Sequence, residues 1–204
     1  MSQMPITKPQ QQRAIETTNR ILEAAYDIVA LDGYQALTTN AVAERANVNI
    51  RSVYRYFEDK NAIILHLAQK QRDTRALEFG AQFYKLKTAE SLEVWIKETV
   101  RTGLKIRTDD PRANPLNKVL RAIPEFADFI KASDTEVEEG LSRALRSRFP
   151  LLSVQRSKFA ARVCYDLAAS FLDNIEFAGK NVDDYFNETC HAATLYLHSL
   201  EEAE

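Results

Sequence analysis

A short segment, residues 38–60, concentrates cationic and hydroxyl side chains at helical spacing. Within it, residues 50–56 include two arginines, two tyrosines and a serine but no acidic residue. An arginine can donate two hydrogen bonds to a guanine edge, and tyrosine and serine hydroxyls can reach phosphate oxygens. Val53 and Phe57 lie four residues apart, so in a helix they share one face and anchor it inward. The residues left to face outward are Arg51, Ser52, Arg55 and Tyr56.

Two short helices separated by a turn are predicted to present this surface. Thr38 is placed to cap a helix over residues 39–46, and Asn49 is placed to cap the next helix over residues 50–56. Asn47 lies between them, where a tight turn needs the left-handed backbone conformation that asparagine tolerates. Two helices of this length with this connection have the proportions of a helix-turn-helix.

Helix N-termini add a second means of holding an anion. The first backbone N–H groups of a helix lack partners within that helix and bind phosphate well. Thr39 lies at the start of the second helix, and Lys60 follows Asp59, the predicted cap of a fourth helix. The patch therefore fits double-stranded DNA, and an ordinary basic surface is the alternative interpretation when the patch is taken alone.

Composition narrows the class of protein. The chain has 204 residues, of which 45% are hydrophobic and 27% charged, as in an ordinary globular protein. The formal net charge is −2, so any contact with nucleic acid must come from a local patch. Apolar runs stay short of the roughly 20 residues that span a membrane, and two cysteines fit a reducing compartment. We expect a cytoplasmic protein with no membrane partner.

Residue patterns typical of catalysis or cofactor binding are missing from the sequence. The five glycines lie more than twenty residues apart, which excludes a glycine-rich loop that cradles phosphate. The histidines, His66, His191 and His198, form no pair with the spacing of helical metal sites. We therefore predict no cofactor, no metal and no catalytic residue. An enzyme on an all-helical scaffold remains the weakest of three functional hypotheses.

Proline positions and hydrophobic periodicity predict an all-α chain. Residues 10–110 contain no proline, and apolar residues recur there at helical spacing. The first helix is predicted over residues 13–31, and the fourth begins at Asp59 and extends to about residue 80 as a connector. Residues 133–136 have the spacing of a capping box, which predicts the start of a helix at that point.

The last two predicted helices, within residues 153–200, carry more apolar surface than one core contact requires. A helix that packs on a core from one side needs an apolar face of about 100°, and the first of the two has a wider one. The second adds a stripe of Phe186, Ala193, Leu197 and Leu200. These faces indicate either a central helix in a monomeric bundle or a subunit interface between symmetry mates.

The N-terminal motifs closely resemble those of one known family. In order, they are Ile21 to Ala25, Gly33-Tyr34, Leu37 to Thr39, Val42-Ala43, Ala46 to Val48, Tyr54 to Phe57, and Lys60. Over about residues 13–65 their order and spacing resemble the TetR family of bacterial transcriptional regulators. One departure is Asn47, where the family usually has glycine. The departure keeps the left-handed turn.

The resemblance implies a homodimeric regulator that binds a pseudo-palindromic operator and responds to a small-molecule effector. It implies a three-helix helix-turn-helix DNA-binding domain in residues 1–60, with residues 59–80 as connector. Residues 61–204 would form a helical domain for effector binding and dimerisation. The residues that match phosphate contacts are Thr39, Tyr54, Tyr56 and Lys60, and those at base-reading positions are Asn40, Asn49, Ile50, Arg51 and Ser52. Arg55 is added as an outward-facing cation of the same helix.

An effector pocket among the later helices would suit an apolar or amphipathic molecule. Its candidate lining residues are Tyr84, Trp95, Arg101, Phe126, Phe129, Tyr165, Phe171 and Asn174. Aromatic residues at helical spacing are equally typical of a plain core. The second functional hypothesis is therefore a DNA-binding protein that recruits a protein partner and takes no small-molecule effector.

Overall fold

The computed structural model describes the backbone of residues 7–201 and the side chains of residues 11–175 and 179–201. This part of the chain contains α-helices joined by turns and short 3-10 segments, with no strand, which confirms the all-α prediction. None of its helices is long and apolar enough to cross a membrane. The α-helices are α1 (Thr7–Leu31), α2 (Thr39–Arg45), α3 (Ile50–Tyr56), α4 (Lys60–Lys85), α5 (Leu92–Asp109), α6 (Ala113–Ala122), α7 (Ala127–Arg148), α8 (Val154–Ala178) and α9 (Val182–Glu201).

The chain divides into two compact units, and the first joins Met1–Gln71 to the later segment Asp110–Phe129. In this unit α1 packs against α2, α3 and α6. Its core consists of buried aliphatic and aromatic side chains, which include Ile21, Ile28, Leu37, Val42, Val53, Phe57, Ile63, Leu67, Leu116 and Phe126. Burial of so much apolar surface makes the helix-turn-helix part of a stable body.

An ion-pair cluster fixes the later segment to α1. The Arg112 guanidinium donates to Glu23 at 2.9 Å, to Asp27 at 2.7 Å and to Asp110 at 3.1 Å. It also lies over the ring of Tyr26, with Cζ 4.3 Å from the ring centroid. Burial disfavours the charged form, but the hydrogen bonds to the three carboxylates outweigh it and raise the pKa of Arg112.

The second unit consists of Arg72–Asp109 and Ile130–Glu204. Here α8 packs against α9, and α5 packs against both. The buried core includes Leu86, Trp95, Ile96, Leu145, Phe149, Phe171, Leu197 and Leu200. Gly103 lets α5 and α8 approach closely, because a Cβ at this position would lie 2.8 Å from Leu172 Cδ1.

The units and the helix ends differ in part from the expectations. The described part of α1 begins before residue 13, and α4 continues past residue 80 to Lys85. Residues 60–71 of α4 belong to the first unit and residues 72–85 to the second. The functional division at residue 60 remains a prediction.

The capping-box prediction at residues 133–136 is wrong, because α7 runs without interruption through this segment. Ser133 is buried, and its hydroxyl accepts a hydrogen bond from Arg75 Nη2 at 2.8 Å. The Thr135 hydroxyl donates to the Lys131 carbonyl four residues earlier, a bond that is available in a helix interior. The hydroxyls are thus satisfied without ending the helix.

The apolar stripe of α9 has a different role from the predicted subunit contact. Phe186, Ala193, Leu197 and Leu200 are all buried in the core of the second unit itself. They are covered because α9 packs against α5 and α8. Other apolar side chains of these helices remain exposed, namely Val154, Phe159, Val163 and Leu195 among the described residues.

Candidate nucleic-acid interface

The turn between α2 and α3 has a defined backbone geometry. Asn47 adopts the predicted left-handed conformation, with φ of 50°. Its N–H donates to the Glu44 carbonyl, and the Val48 N–H donates to the Ala43 carbonyl, both at 3.0 Å. This pair of bonds is a Schellman motif, which ends α2 and turns the chain toward α3.

The three predicted N-caps of this region are present. The Thr38 hydroxyl accepts from the Ala41 N–H at 3.1 Å at the start of α2. The Asn49 side-chain oxygen accepts from the Arg51 N–H at 2.9 Å at the start of α3. The Asp59 carboxylate accepts from the Ala62 N–H at 2.8 Å at the start of α4. Each cap fixes the residue at which its helix begins.

The buried and the outward faces of α3 carry the residues that the spacing predicts. Val53 and Phe57 are buried in the core of the first unit. Arg51, Arg55 and Tyr54 are exposed, the last with 57% of its surface accessible. The other outward candidates, Ser52 and Tyr56, are half-buried. The helix therefore holds two cations in solvent on a rigid support.

Two hydroxyl groups meet between α2 and α3. Thr39 Oγ1 and the Tyr54 hydroxyl oxygen lie 3.0 Å apart and form a hydrogen bond. Both residues match predicted phosphate contacts, so the structure brings these two together. Each hydroxyl retains hydrogen-bonding capacity beyond this bond, because a hydroxyl has one donor and two acceptor positions.

A further predicted phosphate contact, Lys60, is the first residue of α4. Its ammonium group is 4.0 Å from the centroid of the Tyr34 ring. The Tyr34 hydroxyl donates to Asn61 Oδ1 at 2.7 Å, which fixes the ring against the start of α4. A cation over an aromatic face is attracted to it, so Tyr34 restrains Lys60 at this surface.

The remaining predicted DNA-contact residues lie at the helix starts. Asn40 in the first turn of α2 and Asn49 at the cap of α3 are exposed, and Ile50 is half-buried. Sequence reasoning did not assign a role to Arg20, whose side chain bonds to the turn carbonyls from α1. No local pattern indicates such a contact, because the partners lie 26 and 27 residues apart in sequence.

The candidate effector residues are distributed over both units. Phe126 and Phe129 belong to the first unit. In the second, Phe171 packs edge-to-face on Phe186, and the Arg101 guanidinium lies 5.1 Å from the centroid of that same ring. These contacts bring Arg101 and Phe171 together around Phe186.

The other candidates of the second unit have separate surroundings. Trp95 is buried and donates from Nε1 to the Gln82 carbonyl, and Tyr165 donates to Asp134. Tyr84 and Asn174 are exposed. Across the described side chains no group of three His, Cys, Asp or Glu residues is placed to hold a metal ion.

A sequence model described as "Bacterial regulatory proteins, tetR family" matches residues 21–67. These residues run from α1 through the capped α2 and α3 into α4, which is the surface described above. Over residues 21–67 the chain is a TetR-family sequence. The helix-turn-helix of this protein is accordingly the TetR-type DNA-binding element.

Two relatives match this chain over a short segment. The uncharacterised HTH-type transcriptional regulator YvkB of Bacillus subtilis (strain 168) is 36% identical over 59 residues, which are 29% of this chain and 31% of the relative. The HTH-type transcriptional repressor KstR of Mycolicibacterium smegmatis (strain ATCC 700084 / mc(2)155) is 47% identical over 45 residues, 22% of each chain. The chain thus matches less than a third of the length of these relatives.

Structural similarity to a solved protein extends beyond the DNA-binding element. A solved structure described as a SmeT–triclosan complex aligns with a TM-score of 0.66 and 16% sequence identity. The alignment covers 92% of this chain and 90% of that chain. Both units of the present protein therefore have counterparts in that fold.

Proposed function

We propose that this chain is a transcriptional regulator that binds a pseudo-palindromic DNA operator as a homodimer. The observation that carries the proposal is the placement of α3. Val53 and Phe57 anchor the helix in the core, while Arg51 and Arg55 are exposed on it. A short helix of this kind enters the major groove and reads base edges with its N-terminal residues.

The groups around α3 are suited to bind the phosphate backbones on either side of the major groove. The start of α2 supplies the Thr39–Tyr54 hydroxyl pair, and the start of α4 supplies Lys60. Hydroxyl groups, an ammonium group and helix N-termini all bind phosphate oxygens. Such contacts would set the position of α3 on the duplex, and Arg51 at its first turn would then read a base.

The test is a selection by the wild-type chain from a random library of double-stranded DNA, followed by sequencing. The proposal predicts enrichment of one sequence with two inverted half-sites. Their centres should lie about 34–36 Å apart along the duplex or at a multiple of this distance. A matched selection with Arg51→Glu should fail to enrich that sequence. A wild-type pool that stays random would contradict DNA recognition by this protein.

The proposed dimer uses α8 and α9. Phe159 of α8 and Leu195 of α9 are each 56% exposed, and Val163 of α8 is 39% exposed. The 3-10 segment Gly179–Asn181 joins the two packed helices. Val163 and Leu195 each lie about 20 Å from that connection along their helix at 1.5 Å per residue. Val163 and Leu195 are therefore at similar distances from the connection, and an isologous two-fold contact would use this same patch on both subunits.

We further propose that the regulator is a repressor controlled by an apolar or amphipathic effector held in the second unit. The name of KstR as a repressor and the description of a SmeT–triclosan complex support this for relatives of the same fold. In this chain, α4 begins at Lys60 and continues into the second unit. A ligand that displaces α4 there would alter the position of Lys60.

The effector hypothesis is tested in two steps. A thermal-shift screen of apolar metabolites and drugs identifies compounds that stabilise the native chain. Operator affinity is then measured with and without each one. A coupling of about 1–3 kcal/mol would weaken binding about five- to 150-fold. A compound that binds stoichiometrically to the second unit and leaves operator affinity unchanged would contradict control by that compound.

A further inference from the structure

The α2–α3 turn contains carbonyl groups that need a partner from outside α2. The carbonyls of the last turn of a helix, and those that directly follow it, have no N–H donor within the same helix. In this turn the carbonyl oxygens of Ala46 and Asn47 both accept from a single nitrogen, Arg20 Nη2, at 2.5 and 2.7 Å. One guanidinium nitrogen therefore holds two consecutive peptide groups.

Arg20 is well placed to act as a fixed support. It belongs to α1, and the next residue along the chain, Ile21, is fully buried in the core. Its positive charge lies at the C-terminal end of α2, where the helix dipole favours a cation. Hydrogen bonds from a charged donor are also stronger than those between neutral groups. The contact thus ties the turn to α1.

The held peptide groups lie immediately before the start of α3. Asn49, the N-cap of α3, lies two residues after Asn47, and its side chain accepts from the Arg51 N–H. A shift of the Asn47 carbonyl would therefore move the cap and the first turn of α3 together. A functional site loses much of its effect when its groups move by about 1 Å.

We propose that Arg20 is a positioning residue for DNA recognition, which clamps the turn carbonyls and so fixes α3 relative to α1 and α2. This inference rests on the DNA-binding function proposed above. Arg20 acts through Ala46 and Asn47 and not through a contact with DNA. Its loss should therefore weaken binding to the selected sequence more than binding to duplex DNA in general.

Three variants separate the clamp from other roles. Arg20→Met keeps the aliphatic part of the side chain and removes its charge and donors. Arg20→Lys keeps a charged donor on a shorter side chain, so it should restore part of the contact. Arg146→Met, at an exposed arginine of α7 in the second unit, is the control for the loss of one positive charge.

The measurement is a titration of each full-length variant with the duplex selected by wild type and with a scrambled duplex, at two salt concentrations. Arg20→Met should bind the selected duplex about tenfold more weakly, with scrambled-duplex affinity and salt dependence unchanged. Arg20→Lys should lie between Arg20→Met and wild type, and Arg146→Met should match wild type.

Two results would overturn the inference. Unchanged affinity of Arg20→Met for the selected duplex would show that α3 needs no clamp. Equal losses on both duplexes, with a salt slope smaller by about one, would assign Arg20 to a phosphate contact. If Arg20→Met does not fold, the same criteria are applied to Arg20→Lys. Its affinity for the selected duplex should fall about threefold, with no loss for the scrambled duplex. Failure of the proposed DNA-binding function would give a different result, because the wild-type protein itself would then select no duplex.

Discussion

Thr39 Oγ1 lies 3.0 Å from the hydroxyl oxygen of Tyr54, so the start of α2 and the middle of α3 share a hydrogen bond. The bond brings together two hydroxyl groups that are 15 residues apart in sequence, at one point of the candidate DNA surface. Side chains that are already ordered lose less conformational freedom when a ligand binds. The pair therefore forms a preorganised phosphate contact in our account.

Tyr54→Phe should weaken binding to every duplex by a similar factor. The change removes one hydroxyl contact and no charge, so we expect a loss of about 0.5–1.5 kcal/mol with no change in salt dependence. Titration with the selected and the scrambled duplex measures both quantities. Tyr84→Phe is the matched control, because Tyr84 is 88% exposed on α4 in the second unit.

The same titration tests whether the two hydroxyls act as a unit. Thr39→Val and Tyr54→Phe should together cost less than the sum of their separate effects, because each single change already breaks the shared hydrogen bond. Strictly additive losses would show that the two residues contact DNA independently.

Lys60→Ala and Arg51→Ala should change DNA binding in different ways. Loss of a lysine–phosphate contact lowers affinity for all sequences and reduces the salt slope by about one. Loss of an arginine–guanine contact relaxes the preference at particular base pairs by roughly 1–3 kcal/mol. The measurement is a titration of duplexes with single base-pair changes at two salt concentrations, with Lys180→Ala as the exposed control in the second unit. A uniform loss for Arg51→Ala would remove its base-reading role.

Phe159→Glu should convert the proposed dimer to monomer at micromolar concentration. Phe159 is exposed in the single chain, so the substitution leaves the core of the second unit intact, yet it would bury an unpaired charge in a dimer. Val94→Glu is the matched control, because Val94 of α5 is 57% exposed. Sedimentation that shows Phe159→Glu as dimeric as Val94→Glu would move the interface away from α8.

The local parts of this structure were predictable from the sequence, because a cap needs only residues within one turn. Thr38, Asn49 and Asp59 each bond to an N–H two or three residues later. Ser133 shows the limit of the same reasoning. A capping-box pattern is also tolerated inside a helix when its hydroxyl finds another donor, here Arg75.

Contacts between distant segments were not predictable. Periodicity identified the apolar stripe of α9 correctly, but it could not say that Leu197 faces α5 and α8 of the same chain instead of a partner. Likewise, Arg20 meets Ala46 only after α1 and α2 have packed. Which segment covers a face depends on the tertiary arrangement, and a single sequence does not encode that locally.

Cys190 should make the stability of the protein fall at alkaline pH. It is fully buried, and burial raises the pKa of its thiol from 9.0 to about 11. Because the folded-state pKa is the higher one, the neutral thiol contributes stability below pH 9 that is lost as the pH rises toward about 11.

Urea unfolding of wild type and Cys190→Ala at several pH values between about 8 and 11 measures this contribution. The stability lost between the lowest and highest pH should be larger for wild type than for Cys190→Ala, since the other titrating groups are common to both. A difference in the free energy of unfolding between the two proteins that stays constant over the whole pH range would contradict the burial of this thiol.

The central claim is that α3 reads DNA sequence from a surface held on the duplex by phosphate contacts. Its most direct test is the ratio of wild-type affinities for the selected duplex and for a scrambled duplex of the same composition, at one near-physiological salt concentration. Our account predicts a preference of at least about a thousandfold, as specific DNA-binding proteins show. Equal affinity for the two duplexes would contradict it.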